Sequence, residues 1–325
     1  MHYYRVMKNT IVIIFLTLLM VYRVDAAEVD SFSARYNPMK DSLRQIDNEF
    51  NKTISIVIND INSNSKYQKN VCDQKFLYKK LRKYFSNKYF GKFTKWVTVS
   101  KDLDRNKVPL QKSIYKNFTA KEAIILGLTS KLSDPGAALM TVGGFKIGDD
   151  KFEHFFGSGF KYFKAYYLSG KPVDAALNIG KKAEFGILGA KTTGVIAYAD
   201  MVANFNGMRF WNHVLNKYTD VLDNNSPGPY ITCDQENNKW VKGKRATFKT
   251  YLDYGFDEGI NCSQFRVQSI VDKVKSHIFD LETKDRNVTH NYVCPIRPEV
   301  IPDLLNKYGK FSNTLINLKG HSVPN

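Results

Sequence analysis

Between Asp149 and Trp211 the chain reads DDKFEHFFGSGFKYFKAYYLSGKPVDAALNIGKKAEFGILGAKTTGVIAYADMVANFNGMRFW. At helical period this gives three consecutive helices, each bringing polar groups onto a face otherwise made of small or aromatic residues. His154, Glu184, Asp200 and Asn204 are those groups. Burying them costs free energy unless they are paired, so a fold built on this stretch must satisfy them internally or use them. The stretch is therefore the candidate functional site.

In the first helix Phe152, Phe155, Phe156, Phe160 and Phe163 supply the apolar side, while Asp150, His154, Gly157, Ser158 and Lys161 share another. Glycine in a helix interior costs up to about 1 kcal/mol against alanine. Close approach of another helix or of a ligand is the reason expected for Gly157 and Gly159. The second helix carries Ala176, Gly180, Ala183, Ile187 and Ala190 on one stripe, with Glu184 in the same sector. A carboxyl held there loses hydration, its pKa rises, and it can serve as a general acid. The plainer reading pairs Glu184 with Lys181, Lys182 or His154. On the third helix Asp200, Asn204, Gly207 and Trp211 form one stripe, with Tyr198 just before it. Such a stripe suits a sugar-binding ledge, with acid and amide on hydroxyls and the indole on a pyranose face. Its plainer reading is a buried polar seam. His154 by itself reads first as a structural histidine.

Residues 1–26 read as a secretory signal peptide: Arg5 and Lys8 precede an apolar run from Ile11 to Tyr22, and Val24-Asp25-Ala26 is the exit. No cysteine follows it, and no later stretch is long and apolar enough to span a membrane. The protein is expected to be secreted or periplasmic. The formal charge is +17; the leader contributes a net +2, leaving +15 on the mature chain. That surface favours polyanions, and export points to anionic wall polymer or lipid rather than nucleic acid. Cys72, Cys233, Cys262 and Cys294 lack the close pairs of zinc sites and are expected to form two disulfides. Of the three connectivities, Cys233–Cys262 with Cys72–Cys294 is preferred, since the first closes a local hairpin.

The rest of the chain is expected to pack around the central helices. Residues 27–37 read as polar and loose, and Pro38 opens an amphipathic helix through Leu43, Ile46, Phe50, Ile54, Val57 and Ile61. Lys75 to Trp96 interleaves eight basic with eight aromatic residues. It suits a polyanion or a membrane surface, or more plainly a helix with aromatics inward and lysines solvated. Thr119-Ala-Lys-Glu122 is a capping box, and Asp134-Pro135-Gly136 stops the helix behind it. Asn224 to Pro229 is the strongest turn signal, dividing a helical core domain over 27–223 from a C-terminal hairpin and helices over 224–325 on the same core. In the turn holding Asp253, Asp257 and Glu258, Asn261 or Ser263 is expected to cap a final helix from Ser263. The fold class is mainly α, in a single domain with a small β-hairpin excursion.

No P-loop, dinucleotide fingerprint, G-x-S-x-G elbow or HExxH spacing occurs, so no cofactor and no metal are expected. The segments DKFEHFF, AEFGILGAKTTGVIAYADMVANFNGMRFW and DEGINCS resemble the signatures of a family of exported bacterial proteins. The helix bearing Glu184 and the Thr192-Thr193-Gly194 turn after it also resemble the lysozyme superfamily, in particular the divergent lysozymes that predatory bacteria export against prey cell wall. That resemblance implies a lysozyme-like domain and a glycosidase acting on peptidoglycan, with Glu184 as general acid. Tyr198 or Asp200 would then position water or stabilise the oxocarbenium-like transition state, with His154, Asn204 and Trp211 binding substrate. The β-hairpin typical of that superfamily is replaced after Gly194 by a helical pattern. The protein is expected to act as a monomer; the alternative is a non-catalytic envelope protein that docks through its basic surface.

Overall fold

The computed structural model describes residues 28–64, 72–86, 91–129, 136–222, 226–285 and 290–324. The expected signal peptide, the Asp134-Pro135 stop and Asn224-Asn225 lie outside the described residues. About 52% of the chain is helical, and the strands form only two-stranded antiparallel pairs. The fold is mainly α.

Helix α1 (Leu43–Asn62) buries Ile46, Phe50, Ile54, Val57 and Ile61 on the stripe its pattern marks out. Helices α2 (Gln74–Phe85) and α3 (Lys92–Val99) sort the basic-aromatic stretch by face. Leu77, Tyr78, Leu81, Phe85 and Phe93 are buried, while Lys75, Lys79, Arg82, Lys83, Lys92 and Lys95 are exposed. Before α4 (Ile124–Thr129) the Glu122 carboxylate accepts from the Thr119 amide, as a capping box requires, but it also takes the threonine hydroxyl. Strands β1 (Leu139–Val142) and β2 (Phe145–Gly148) form a hairpin. Its turn, Gly143-Gly144, has both residues at positive φ, a conformation side chains rarely adopt.

Helix α5 follows at once. It is continuous but uneven: Lys151–Glu153, a π-helical His154–Ser158, Gly159–Phe163 and a second π-helical segment, Lys164–Leu168. Pro172 precedes α6 (Val173–Glu184), and a π-helical turn, Ile187–Lys191, leads to β3 (Val195–Ile196) and α7 (Tyr198–Leu215). Beyond the turn signal come the hairpin β4 (Ile231–Asp234) and β5 (Lys239–Lys242), then β6 (Gln264–Phe265), which pairs with β3. Helices α8 (Gln268–Lys284), α9 (Ile301–Tyr308) and α10 (Ser312–Leu315) complete the fold.

Every residue of α7 from Ala199 to Val214 is buried, so this helix is the axis of the molecule. Helix α5 crosses it at the glycines. A Cβ on Gly159 would lie 2.7 Å from the Gly207 Cα, and one on Gly207 would lie 1.9 Å from the Phe155 carbonyl oxygen. Close helix approach is thus the reason for Gly159, and Gly157 is set against the Ser86 carbonyl in the same way. Gly207→Ala is expected to lower stability by about 1–3 kcal/mol by forcing the two helices apart, read as a shift in urea midpoint. Polar residues of α7 on the far side are satisfied internally: Arg209 grips Asp220 with two nitrogens, and His213 lies 2.8 Å from the same carboxylate. One core cluster takes members from Ile46 to Ile316, so the segments before and after Asn224 share it.

Three expectations change. Residues 28–35 are not loose: Val29, Asp30, Phe32 and Arg35 are buried, with Asp30 accepting the amides of Phe32 and Ile114 and Arg35 pairing with Asp257. The disulfides are Cys72–Cys233 and Cys262–Cys294, not the preferred pairing. The β4–β5 hairpin packs on α1, where the Asn62 side chain bonds both the amide and the carbonyl of Trp240; that carries Cys233 to the α2 entrance and away from Cys262. The last long helix begins at Gln268 rather than Ser263, because Gln264-Phe265 is taken up by pairing with β3. All four cysteines are paired, as an oxidising compartment allows. Among the described residues no helix is long and apolar enough to cross a membrane.

Candidate functional site

Lys151 opens α5 directly after the β1–β2 hairpin and is only 1% exposed. Its ammonium lies 2.7 Å from Asp150 Oδ2, 2.7 Å from Asp200 Oδ1 and 2.6 Å from Glu258 Oε1. The contact to Asp200 is an ion pair at short range without hydrogen-bond alignment. Three carboxylates around three N–H groups hold the lysine charged, and its pKa rises well above the ordinary value despite burial. The sequence reading passes over this residue because Lys151 is one lysine among many in a basic chain. The Glu258 role is missed for a different reason. Asp257 and Glu258 look like acids at a helix start, but Asp257 pairs with Arg35 and Glu258 points inward to Lys151 and Ser263. Asn261 caps no helix; its amide spans the carbonyls of Gly255 and Leu315.

The π-helical turn at His154–Ser158 adds one residue to the helix just beyond Lys151, an irregularity frequent at functional sites. There His154 is part-exposed at 27%, with Nε2 3.0 Å from Asp200 Oδ2 and Nδ1 3.3 Å from Asn204 Oδ1. Asn204 also contacts the Tyr162 hydroxyl, and Gly180 leaves the space that this hydroxyl occupies. His154, Asp200 and Asn204 are thus brought together on facing turns of α5 and α7.

Glu184 is the last residue of α6 and is 5% exposed. Its pKa is raised well above the ordinary carboxylate value, first by burial, then by Asp200 and Glu28; Lys151 and the Ala197 amide offset this only in part. The pairing with Lys181 or Lys182 is not formed. A second acid, Glu28, shares this environment: buried, beside Glu258 and Asp200, touched by Thr193, and likewise pushed up. Burial drives Glu258 up to about 7 even against Lys151. No local pattern marks Glu28, which reaches the centre only because its strand-like segment lies against Ala137.

Tyr198, the first residue of α7, donates its hydroxyl to Gln264 Oε1 at 3.0 Å. Trp211 does not join the site: it is fully buried, and its indole N–H donates to the Phe156 carbonyl. Four residues before it, Gly207 is closed off by Phe155, so the ledge ends at Asn204. Asp150, His154 and Asp200 bring ligand-type atoms within 4.8 Å of one another. The Lys151 ammonium already sits on both of those carboxylates and would repel a metal ion, so the residues do not fit one.

These proton-holding acids set a pH dependence. Glu28, Glu184 and Glu258 hold their protons more tightly in the native state than in the unfolded chain, where the ordinary value is near 4.5. The native state then binds more protons, so stability falls as pH rises, for Glu258 through about 7. Buried His277 and His321 oppose this only below about 6.5, where they would protonate on unfolding. Urea unfolding at pH 8 is expected to show about 1 kcal/mol less stability than at pH 6.5; a rise in that interval would mean the carboxyls are ionised in the folded state.

Comparison of the chain with protein-family models, curated proteins and solved structures finds no match in any of the three.

Proposed function

We propose that this chain is an exported, lysozyme-like glycoside hydrolase acting on peptidoglycan, deacetylated forms included, with Glu184 as general acid. One observation carries the reading: Glu184 is buried among other acids, which raises its pKa well above the ordinary carboxylate value, while Asp200 is held between Lys151 and His154. Two carboxyls in such different surroundings divide acid and charge-stabilising roles between them. The Glu184 proton would pass to the glycosidic oxygen as its bond to the anomeric carbon breaks. Asp200 would face the cationic sugar, with Tyr198 orienting the water that completes hydrolysis. On this reading His154 is the exposed edge at which glycan meets the pair, and Asn204 fixes the His154 ring.

A non-catalytic envelope protein is the second reading, favoured by the exposed Lys75, Lys79, Arg82, Lys83, Lys92 and Lys95 on α2 and α3. Muropeptide release from purified sacculi, acetylated and deacetylated, separates the two. Release by the wild type is expected; its absence from both substrates would favour the envelope protein. Equal release by Glu184→Gln would take Glu184 out of the mechanism.

A further inference from the structure

A cleft of about 480 Å³ opens between the end of α6, the start of α7 and the C-terminal segment around and after α10. Its walls include Phe185, which follows Glu184 in sequence, and Tyr198, with their ring centroids 6.4 Å apart. Glu184 and Asp200 are not themselves among the residues that line it. The volume is that of a small-ligand site.

The chemistry of the lining is one-sided. Lys181 and Lys319 are exposed at the cleft, and among the described residues neither pairs with a carboxylate. No aspartate or glutamate lines it. The Lys181 ammonium stands 5.9 Å from the centre of the Phe185 ring, which keeps it at the mouth. The phenol of Tyr198 is tied to Gln264, whose amide is tied in turn to Ser322, so this wall is fixed in place. Aromatic faces with fixed polar groups suit a sugar ring, and two unpaired ammonium groups suit carboxylates attached to it.

We infer that this cleft binds a carboxylate-bearing portion of the glycan, with Lys181 and Lys319 as its anion contacts and Tyr198 as the packing surface. The inference rests on the hydrolase reading and gives it a substrate class: an anionic, peptide- or lactyl-bearing oligosaccharide rather than a neutral one.

The test is calorimetric titration of the full chain with a purified disaccharide-peptide muropeptide and with a neutral N-acetylglucosamine tetramer. The wild type, Glu184→Gln and the double variant Lys181→Met/Lys319→Met are compared at low and high salt. Both lysines are exposed, so the double variant is expected to fold, as its thermal midpoint would verify. The double variant should bind muropeptide about tenfold more weakly and lose the salt dependence, with less than twofold change for the neutral oligomer. Unchanged muropeptide affinity, equal loss for both ligands, or no binding of either by the wild type would overturn the inference. Selective muropeptide binding by a protein that releases nothing from sacculi would retain the cleft and remove the hydrolase; release with lysine-independent binding would do the reverse.

Discussion

Glu184→Gln is expected to reduce muropeptide release by about 10²–10⁴-fold and, at the same time, to make the protein more stable at neutral pH. The first effect follows from losing the proton that leaves with the glycosidic oxygen, since an amide of nearly the same shape cannot supply it. The second follows from linkage. The wild-type carboxyl holds its proton more tightly folded than unfolded, so above pH 4.5 its ionisation favours the unfolded chain. Glutamine is neutral in both states and removes that bias. The gain should therefore grow with pH and vanish near pH 4, by up to about 1.4 kcal/mol per pH unit at most. A glutamate held in a salt bridge would behave in the opposite way, losing stability on replacement. Urea unfolding of the two proteins at pH 4, 6 and 8 reads the sign, and a loss of stability at pH 8 would exclude a protonated Glu184.

Lys151→Met is expected to destabilise the fold by about 3–5 kcal/mol at pH 7. Methionine fills much of the lysine volume, so packing changes little. What is lost is the one ammonium at the junction of Asp150, Asp200 and Glu258, all three of them buried. The variant should recover part of its stability at pH 5, where the Glu258 carboxyl, pushed up to about 7, is protonated, and part on adding Glu258→Gln, which removes that acid altogether. Denaturant titrations at the two pH values check both recoveries. A loss below about 1 kcal/mol at pH 7 would mean that another group neutralises the acids.

The sequence makes legible whatever is set within a few turns of chain. The stripe of α1, the Gly143-Gly144 turn, the inward aromatics of α2 and the close packing at Gly159 follow from period and residue type alone. The helix faces that carry His154, Asp200 and Asn204 are legible in the same way, but their meeting is set by the crossing of α5 and α7. Glu28, Lys151 and Glu258 are a different matter. They meet across more than two hundred residues of chain, and only the tertiary fold decides that each points inward. The disulfide pairing depends likewise on where the β4–β5 hairpin docks, which its own residues do not encode. Trp211 illustrates the limit of a stripe: its spacing from Asp200 is as expected, but α7 is enclosed on all sides and the indole has no free face.

The two swollen turns of α5 set how this helix can change by insertion or deletion. Each carries a residue more than an α-helix would, and removing one residue from His154–Ser158 would leave a regular helix with normal bonding. Such a shortened helix would keep its two flanks nearly in place, because five π-helical residues turn through about the same angle as four α-helical ones. Lys151 would stay among its acids, so a cut of one residue here changes only the widened turn that presents His154 to Asp200 and Asn204.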